Sequence, residues 1–438
     1  MIKKLFKIIV IGLIILGVAY GVVITVKRRV PHFSKNEIEE NVINMIQTKT
    51  AKITSFYTYG RALNLKGELT GINKDNFESV KLVIIDGNEY KKEYELNYEI
   101  NDSMLNFISS NEINSGIVID ELTGKNYYIL LRLKLNNSIN PKYYSFSNTS
   151  KLEEIEYYTV SKSGSNRKAN IGFEEKKLKE ESYNLLKISF TDTQIPEEIY
   201  DIVIDAVHGG IDKGEKEGNI TEADIALEYA KLLKISLEEN GYKVFVSRDD
   251  ENTDSYTYTN MYDSDGRITK SCRTKSKLMI SLHVNQGNNN LTGFEIYSPC
   301  NSNLDFAKEM ASKIKEYTTI DFSNNKSFKE ADGVYVRNFT NAEIKSFAET
   351  ADKKGYEPYK ITTNTPYLYT IRETGGLATG AYVDGRNMDY SANQYYNSNQ
   401  GIECYQIELG YIKNDLNIIT SEKEEYIKAI TEAICNNY

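Results

Sequence analysis

The chain has 438 residues and a formal net charge of −9, with 34 tyrosines and no tryptophan. That length supports two or three domains with substantial cores, and the acidic balance argues against a nucleic-acid partner. Cys272, Cys300, Cys404 and Cys435 show no C-x-x-C spacing, which excludes a zinc ribbon or a dithiol redox motif and leaves free thiols as the simpler reading.

Lys3, Lys4 and Lys7 precede an uncharged apolar stretch from Ile8 to Val26, closed by Lys27, Arg28 and Arg29. Such a run is long enough to cross the hydrocarbon core of a bilayer. No small-residue cleavage site follows it, so residues 1–29 read as a cytoplasmic tail and a transmembrane signal anchor. A core helix of a cytosolic protein rarely stays apolar on every face for so long. The basic flanks are nearly balanced, and the short tail favours a single-pass membrane protein with everything beyond Arg29 extracytoplasmic. Residues 30–55 are polar and weakly helical, a connector that includes His32, to which no role is assigned.

From 56 to 195 the pattern changes to short β-type runs. Val80–Ile85, Tyr127–Leu133, Ile155–Val160 and Leu185–Phe190 are the clearest, separated by Asn, Asp, Gly and Ser clusters. That spacing predicts an all-β, sandwich-like ectodomain serving as spacer or binding module. The tyrosine pairs at 127–128, 143–144 and 157–158 could offer sugar-stacking faces, but alternate strand positions more often fill cores.

Beyond Pro196, over 198–438, strands and helices alternate. Ile202–Ala206, Tyr242–Ser247, Lys277–Leu282, Phe294–Tyr297 and Glu403–Leu409 read as strands; Glu222–Asn240, Leu304–Tyr317 and Glu422–Cys435 read as helices. In the first helix Ile225, Tyr229, Leu232, Leu233 and Leu237 form one stripe, Thr221 with Asp224 resembles a capping box, and Gly241 fits the stop. The alternation predicts an α/β domain with a mostly parallel sheet covered by helices. The polar segment from Asn285 to Gly401 fits that pattern least; it holds an insert at about 321–400, and long inserts of this kind are often functional.

In such sheets ligands bind beyond the carboxyl ends of the strands. His208 follows one strand, His283 ends another, and Glu222 opens a helix that points back to the same edge. Two imidazoles and a carboxylate can hold a catalytic zinc ion with one position open. Glu408, in a third apolar run, is the candidate to move protons, because burial raises a carboxyl toward the operating pH. Each residue also has a plainer reading. A strand-end histidine is often a hydrogen-bonded core or surface residue, Glu222 could serve the helix dipole, and Glu408 could be half of a buried ion pair.

At these residues the chain, from about 200 to its end, resembles the zinc-dependent N-acetylmuramoyl-L-alanine amidases. The resemblance rests on Asp205-Ala206-Val207-His208-Gly209-Gly210, on Glu222 opening a helix, and on Ser247-Arg248 after a strand. Arg267 lies fourteen residues before Ser281-Leu282-His283-Val284-Asn285; Gly293-Phe294-Glu295-Ile296-Tyr297 and Glu408-Leu409-Gly410-Tyr411 then follow, with Asn414 behind them. It implies zinc held by His208, Glu222 and His283, Glu408 as general base and acid, and peptidoglycan as substrate, cut between the muramic acid lactyl group and L-Ala. It also implies a regulatory protein partner, because some relatives carry an insert that occludes the zinc until a partner moves it. Arg248, Arg267, Asn285 and Arg372 are candidates for substrate contact, and Glu373 beside Arg372 for substrate or zinc contact. Val207 departs from the family's glycine and puts the local backbone there in question. The rival readings are a non-catalytic wall-binding scaffold that keeps the fold, and another zinc amidohydrolase such as a peptidase or deacetylase.

Overall fold

The computed structural model describes residues 46–438, apart from stretches of up to six residues and two longer ones, 250–269 and 355–399, where only 362 and 363 are described. The expected signal anchor therefore lies outside the described residues; among them, no helix is long and apolar enough to cross a membrane.

Two sheets fill the first half. One runs β10 (Phe146–Ser147), β1 (Ala51–Tyr59), β2 (Ala62–Thr70), β6 (Met104–Ile108), β5 (Asn97–Asn101), with β7 (Ile117–Val118) beside β2. The other runs β11 (Ile155–Thr159), β12 (Arg167–Leu178), β13 (Glu181–Asp192), β8 (Asn126–Leu135), β3 (Phe77–Asp86), β4 (Glu89–Glu95), with β9 (Lys142–Tyr144) beside β8. Their inner faces form one core. Strand alternation divides β3 between two clusters: Val80, Leu82 and Ile84 face that core, while Val83 and Ile85 pack with Ile46, Leu130 and Leu185 on the outer side. The first sheet begins earlier than the sequence pattern suggests, because β1 starts at Ala51, inside the expected connector, and Ile46 already bridges to Tyr143. Tyr127 and Tyr157 are fully buried and Tyr128, Tyr143 and Tyr144 nearly so, which removes those five as sugar-stacking faces.

A third sheet holds the expected site. Its order is β17 (Val244–Val246), β14 (Ile202–Ala206), β18 (Leu278–Asn285), β23 (Glu403–Tyr411), β19 (Glu295–Tyr297), β21 (Val334–Tyr335), β20 (Lys329–Ala331). The first four strands are mutually parallel; β19 is antiparallel to β23, and β20 to β21. Helices α1 (Glu222–Glu239), α2 (Asp305–Tyr317) and α5 (Lys423–Asn437) pack on one face, with α3 (Asn341–Lys354) and α4 (Leu416–Ser421) in the later connections. The helix-facing positions are Ile202, Ile204 and Ala206 on β14, Leu278, Ile280 and Leu282 on β18, and Tyr405, Ile407 and Leu409 on β23. By the two-residue period of a strand, Asp205, Ser281, His283, Gln406, Glu408, Glu295 and Tyr297 share the opposite face.

The strand expected at Tyr242–Ser247 is only Val244–Val246. Within the expected insert at about 321–400, β20 and β21 extend the edge of the third sheet, and Ser323 and Asn325 bond Glu295. The remainder of the insert, from 355 on, lies almost wholly outside the described residues, and Gln400–Gly401 forms β22, which pairs in parallel with β1.

Candidate metal centre

His208, Glu222 and His283 converge as the sequence suggests, with one ligand atom from each lying within 4.8 Å of the others. Each arrives by a local device. The helix carrying Glu222 starts where Thr221 caps it, its Oγ1 accepting from the Asp224 amide at 3.2 Å. Glu222 itself is 3 % exposed, so its carboxylate is held by the protein rather than by water. Oε2 accepts from the Glu215 amide at 3.0 Å and Oε1 from the Val284 amide at 3.1 Å. Oε2 lies 3.1 Å from His208 Nε2, and Oε1 lies 3.2 Å from His283 Nδ1.

His208 reaches this carboxylate through an unusual backbone. Its φ is +59°, the left-handed region, and the turn is closed by reciprocal amide–carbonyl bonds between Gly209 and Asp212. Val207 is not among the residues with positive φ, so its β-branched side chain meets no left-handed backbone; the left-handed conformation falls on His208. Gly214 completes the turn at φ +61°. A Cβ on it would stand 2.5 Å from Glu222 Oε2 and 2.8 Å from His208 Nε2, so only glycine leaves that space open.

The three side chains shift one another's protonation. Burial pulls the His208 imidazolium down, but hydrogen bonds with Asp212 and Glu222 outweigh it and raise the group to about 9. Burial would raise Glu222, yet the two histidines beside it bring its carboxyl far below the usual range. Burial lowers His283 against the opposing pull of Glu222. Asp212 Oδ2 sits 2.9 Å from His208 Nδ1 and Glu222 Oε2 3.1 Å from Nε2; both carboxylates only accept, so the metal-free ring carries a proton on each nitrogen, and the one on Nε2 is the one a cation would displace.

Glu408 stands next to His283 across β18 and β23, and next to Glu295 across β23 and β19. Its Oε1 accepts from Gln406 Nε2 at 2.6 Å, while Oε2 is enclosed with no hydrogen-bond partner among the described residues. Burial, with the charge of Glu222 adding to it, pushes the Glu408 carboxyl well above the ordinary range. Beside it Glu295, 1 % exposed, accepts from Ser323, Asn325, Tyr411 and Tyr297.

The remaining expectations divide. Arg248 faces inward. It is 2 % exposed, and its guanidinium donates to the carbonyls of Ala206, Val207 and Ala223, tying the end of β14 to the start of α1. Asn285 ends β18 with Nδ2 enclosed and unpartnered among the described residues. Asn414 donates to the Leu291 carbonyl. Arg267, Arg372 and Glu373 lie outside the described residues. Sequence reasoning gave no role to Gln406 or Ser281, whose signal was available: each sits two positions before a functional residue on a strand and so shares its face.

Residues 202–350 match the family model described as N-acetylmuramoyl-L-alanine amidase. That span contains His208, Glu222 and His283 and ends before Glu408. An uncharacterized protein of Bacillus subtilis, YqiI, is 27% identical over 167 residues, covering 36% of this chain and 77% of its own length. Among solved structures, Cwp6 from Clostridium difficile is 19% identical with a TM-score of 0.34, covering 54% of this chain, while this chain spans only 29% of that one. The N-acetylmuramoyl-L-alanine amidase AmiC2 of Nostoc punctiforme is likewise 19% identical at a TM-score of 0.34, covering 55% of this chain and 96% of its own.

Proposed function

We propose that this chain, whose residues 202–350 carry the sequence pattern of the N-acetylmuramoyl-L-alanine amidases, hydrolyses the amide between N-acetylmuramic acid and L-Ala of peptidoglycan stem peptides. The observation that carries the reading is the convergence of His208, Glu222 and His283 beside a buried Glu408, one oxygen of which has no partner among the described residues. Two imidazole nitrogens and a carboxylate oxygen suit zinc and leave room for a fourth ligand, and the missing Cβ of Gly214 keeps the ligand atoms uncrowded. Bound there, zinc would polarise the scissile carbonyl and lower the pKa of water.

The chain's own groups supply the proton traffic. In its ionised form, favoured when a bound cation would offset the charge of Glu222, Glu408 Oε2 takes a proton from the attacking water and delivers it to the departing nitrogen of L-Ala. A carboxyl raised by burial holds that proton long enough to return it, which an ordinary surface carboxylate near neutral pH would not. Gln406 fixes Oε1 and so aims Oε2. Asn285 Nδ2, enclosed at the end of β18 and without a partner among the described residues, is the candidate donor to a substrate that reaches this edge.

The test is digestion of purified peptidoglycan by residues 30–438 loaded with zinc, with products identified by mass spectrometry. Stem peptides with free L-Ala amino ends are expected, lost with a chelator and restored by zinc. Zinc bound but no release would favour a wall-binding scaffold, and cleavage elsewhere in the stem would favour a peptidase. The apolar run at Ile8–Val26 supports a membrane-anchored enzyme facing away from the cytoplasm; protease digestion of intact cells should remove the catalytic domain, and its full protection would refute that placement.

A further inference from the structure

The sheet face behind the metal centre carries a chain of hydrogen bonds that the chemistry above leaves unused. Asp205 on β14 and Ser281 on β18 are register partners, and both are wholly buried. Ser281 Oγ donates to Asp205 Oδ2 at 2.8 Å. The other carboxylate oxygen, Oδ1, accepts from Ser247 Oγ at 2.9 Å, and that hydroxyl in turn accepts from the Ala206 amide at 3.1 Å. Two residues on, and on the same face, His283 places Nε2 3.2 Å from Ser281 Oγ.

A serine hydroxyl has one proton and two lone pairs. With that proton given to Asp205, Oγ can only accept from the ring, so Nε2 carries the hydrogen. On the other side Glu222 Oε1, 3.2 Å from Nδ1, is also an acceptor and draws the ring proton toward the nitrogen an ion would need. The two contacts compete for one proton of the neutral imidazole. We propose that Asp205, acting through Ser281, is a positioning residue that fixes His283 in its Nε2–H tautomer and leaves Nδ1 free for the metal. The inference rests on the metal reading above. It also makes the two histidines opposite in sense: Asp212 holds a proton on His208 Nδ1, and the relay holds one on His283 Nε2.

The full chain is titrated with zinc against a competing chelator, in the native form and as Ser281→Ala, Ser281→Thr, Asp205→Asn and the Ser281→Ala/Asp205→Asn pair. In parallel, the nitrogen shifts of the metal-free proteins report each ring's tautomer; three histidines keep the spectrum simple. Asparagine at 205 can turn its amide toward Ser281, which reverses the relay and drives the proton to Nδ1. Asp205→Asn should therefore weaken zinc binding about 10–100-fold and convert His283 to Nδ1–H, while His208 is unchanged. Ser281→Ala should weaken it less, Ser281→Thr should keep native affinity, and the pair should match Ser281→Ala alone. Additive losses in the pair, unchanged affinity in Asp205→Asn, or an Nδ1–H His283 in the native metal-free chain would overturn the relay. Should Asp205→Asn not fold, the alanine and threonine variants at 281 decide it: equal affinity in both sinks the relay. A native chain that binds no zinc overturns the metal reading, while the tautomer measurement still decides the relay.

Discussion

Glu408 shows how a single residue can work against the fold that holds it. Its folded-state pKa is raised by burial, so between the unfolded value and the folded one the native state holds a proton that the unfolded chain has released. Stability is then fullest below the unfolded pKa and falls as pH rises through the folded one. Replacing Glu408 by Gln should lower hydrolysis about 10²–10⁴-fold yet raise the Tm of the metal-free protein at neutral pH, and flatten its loss of stability with pH. An unchanged or lower Tm would contradict that account. Gly214 is the complementary case. Gly214→Ala adds one carbon within 3 Å of two ligand atoms at a positive φ, so zinc affinity should fall while the far-ultraviolet spectrum of the fold is kept. Retained affinity would show that the turn can open.

At the scale of elements, the ligands are held by strand ends and one helix start that are tied together from behind. Arg248 is the tie, bonding three carbonyls across β14 and α1. Arg248→Met would leave those carbonyls buried without their donor, at a cost of about 2–4 kcal/mol. A fall in Tm of roughly 5–15 °C should follow, with zinc affinity falling in step because His208 and Glu222 flank the tie. A variant with native Tm would show that other donors replace the guanidinium. The third sheet repeats one pattern on three adjacent strands. Ser281 contacts His283, Gln406 bonds Glu408, and Tyr297 bonds Glu295, each partner two positions away on the same face. A row of orienting groups thus underlies a row of functional ones. Strand periodicity makes each pair readable in sequence; the alignment of the three pairs depends on the register of β18, β23 and β19, which no single segment specifies.

In the whole molecule the β-rich half is joined to the half that carries the candidate metal centre rather than merely tethered to it. The strand that carries Glu408 is preceded by β22, which continues the first sheet through β1. Gly60, in the turn between β1 and β2, lies so close to Glu403 that a Cβ there would stand 2.6 Å from its Oε2. Arg61 covers the ring of Tyr438, the hydroxyl of which bonds Glu403 at 2.5 Å. Lys277, 8 % exposed, pairs with Asp120 at 3.4 Å, and Tyr157 bonds the same carboxylate. A buried ion pair is strongly destabilising when one partner is removed. Residues 46–438 should therefore unfold in one calorimetric transition, and 198–438 alone should melt lower than the full chain. Two separated transitions, the second matching the isolated domain, would show that the halves are independent.

Local sequence signals carry the alternation of strands and helices after Pro196, the capped start of α1 and the positions of His208, Glu222 and His283 at strand ends and a helix start, because periodicity and capping are local. They also put Glu408 in an apolar strand, although the family match ends before it. Tertiary structure alone turns Arg248 inward, puts the left-handed turn on His208 and not on Val207, and adds β20 and β21 to the third sheet. It alone joined Asp205 to His283 through Ser281. Those facts depend on which strands become neighbours and in what register, and that is settled by the packing of segments distant in the chain.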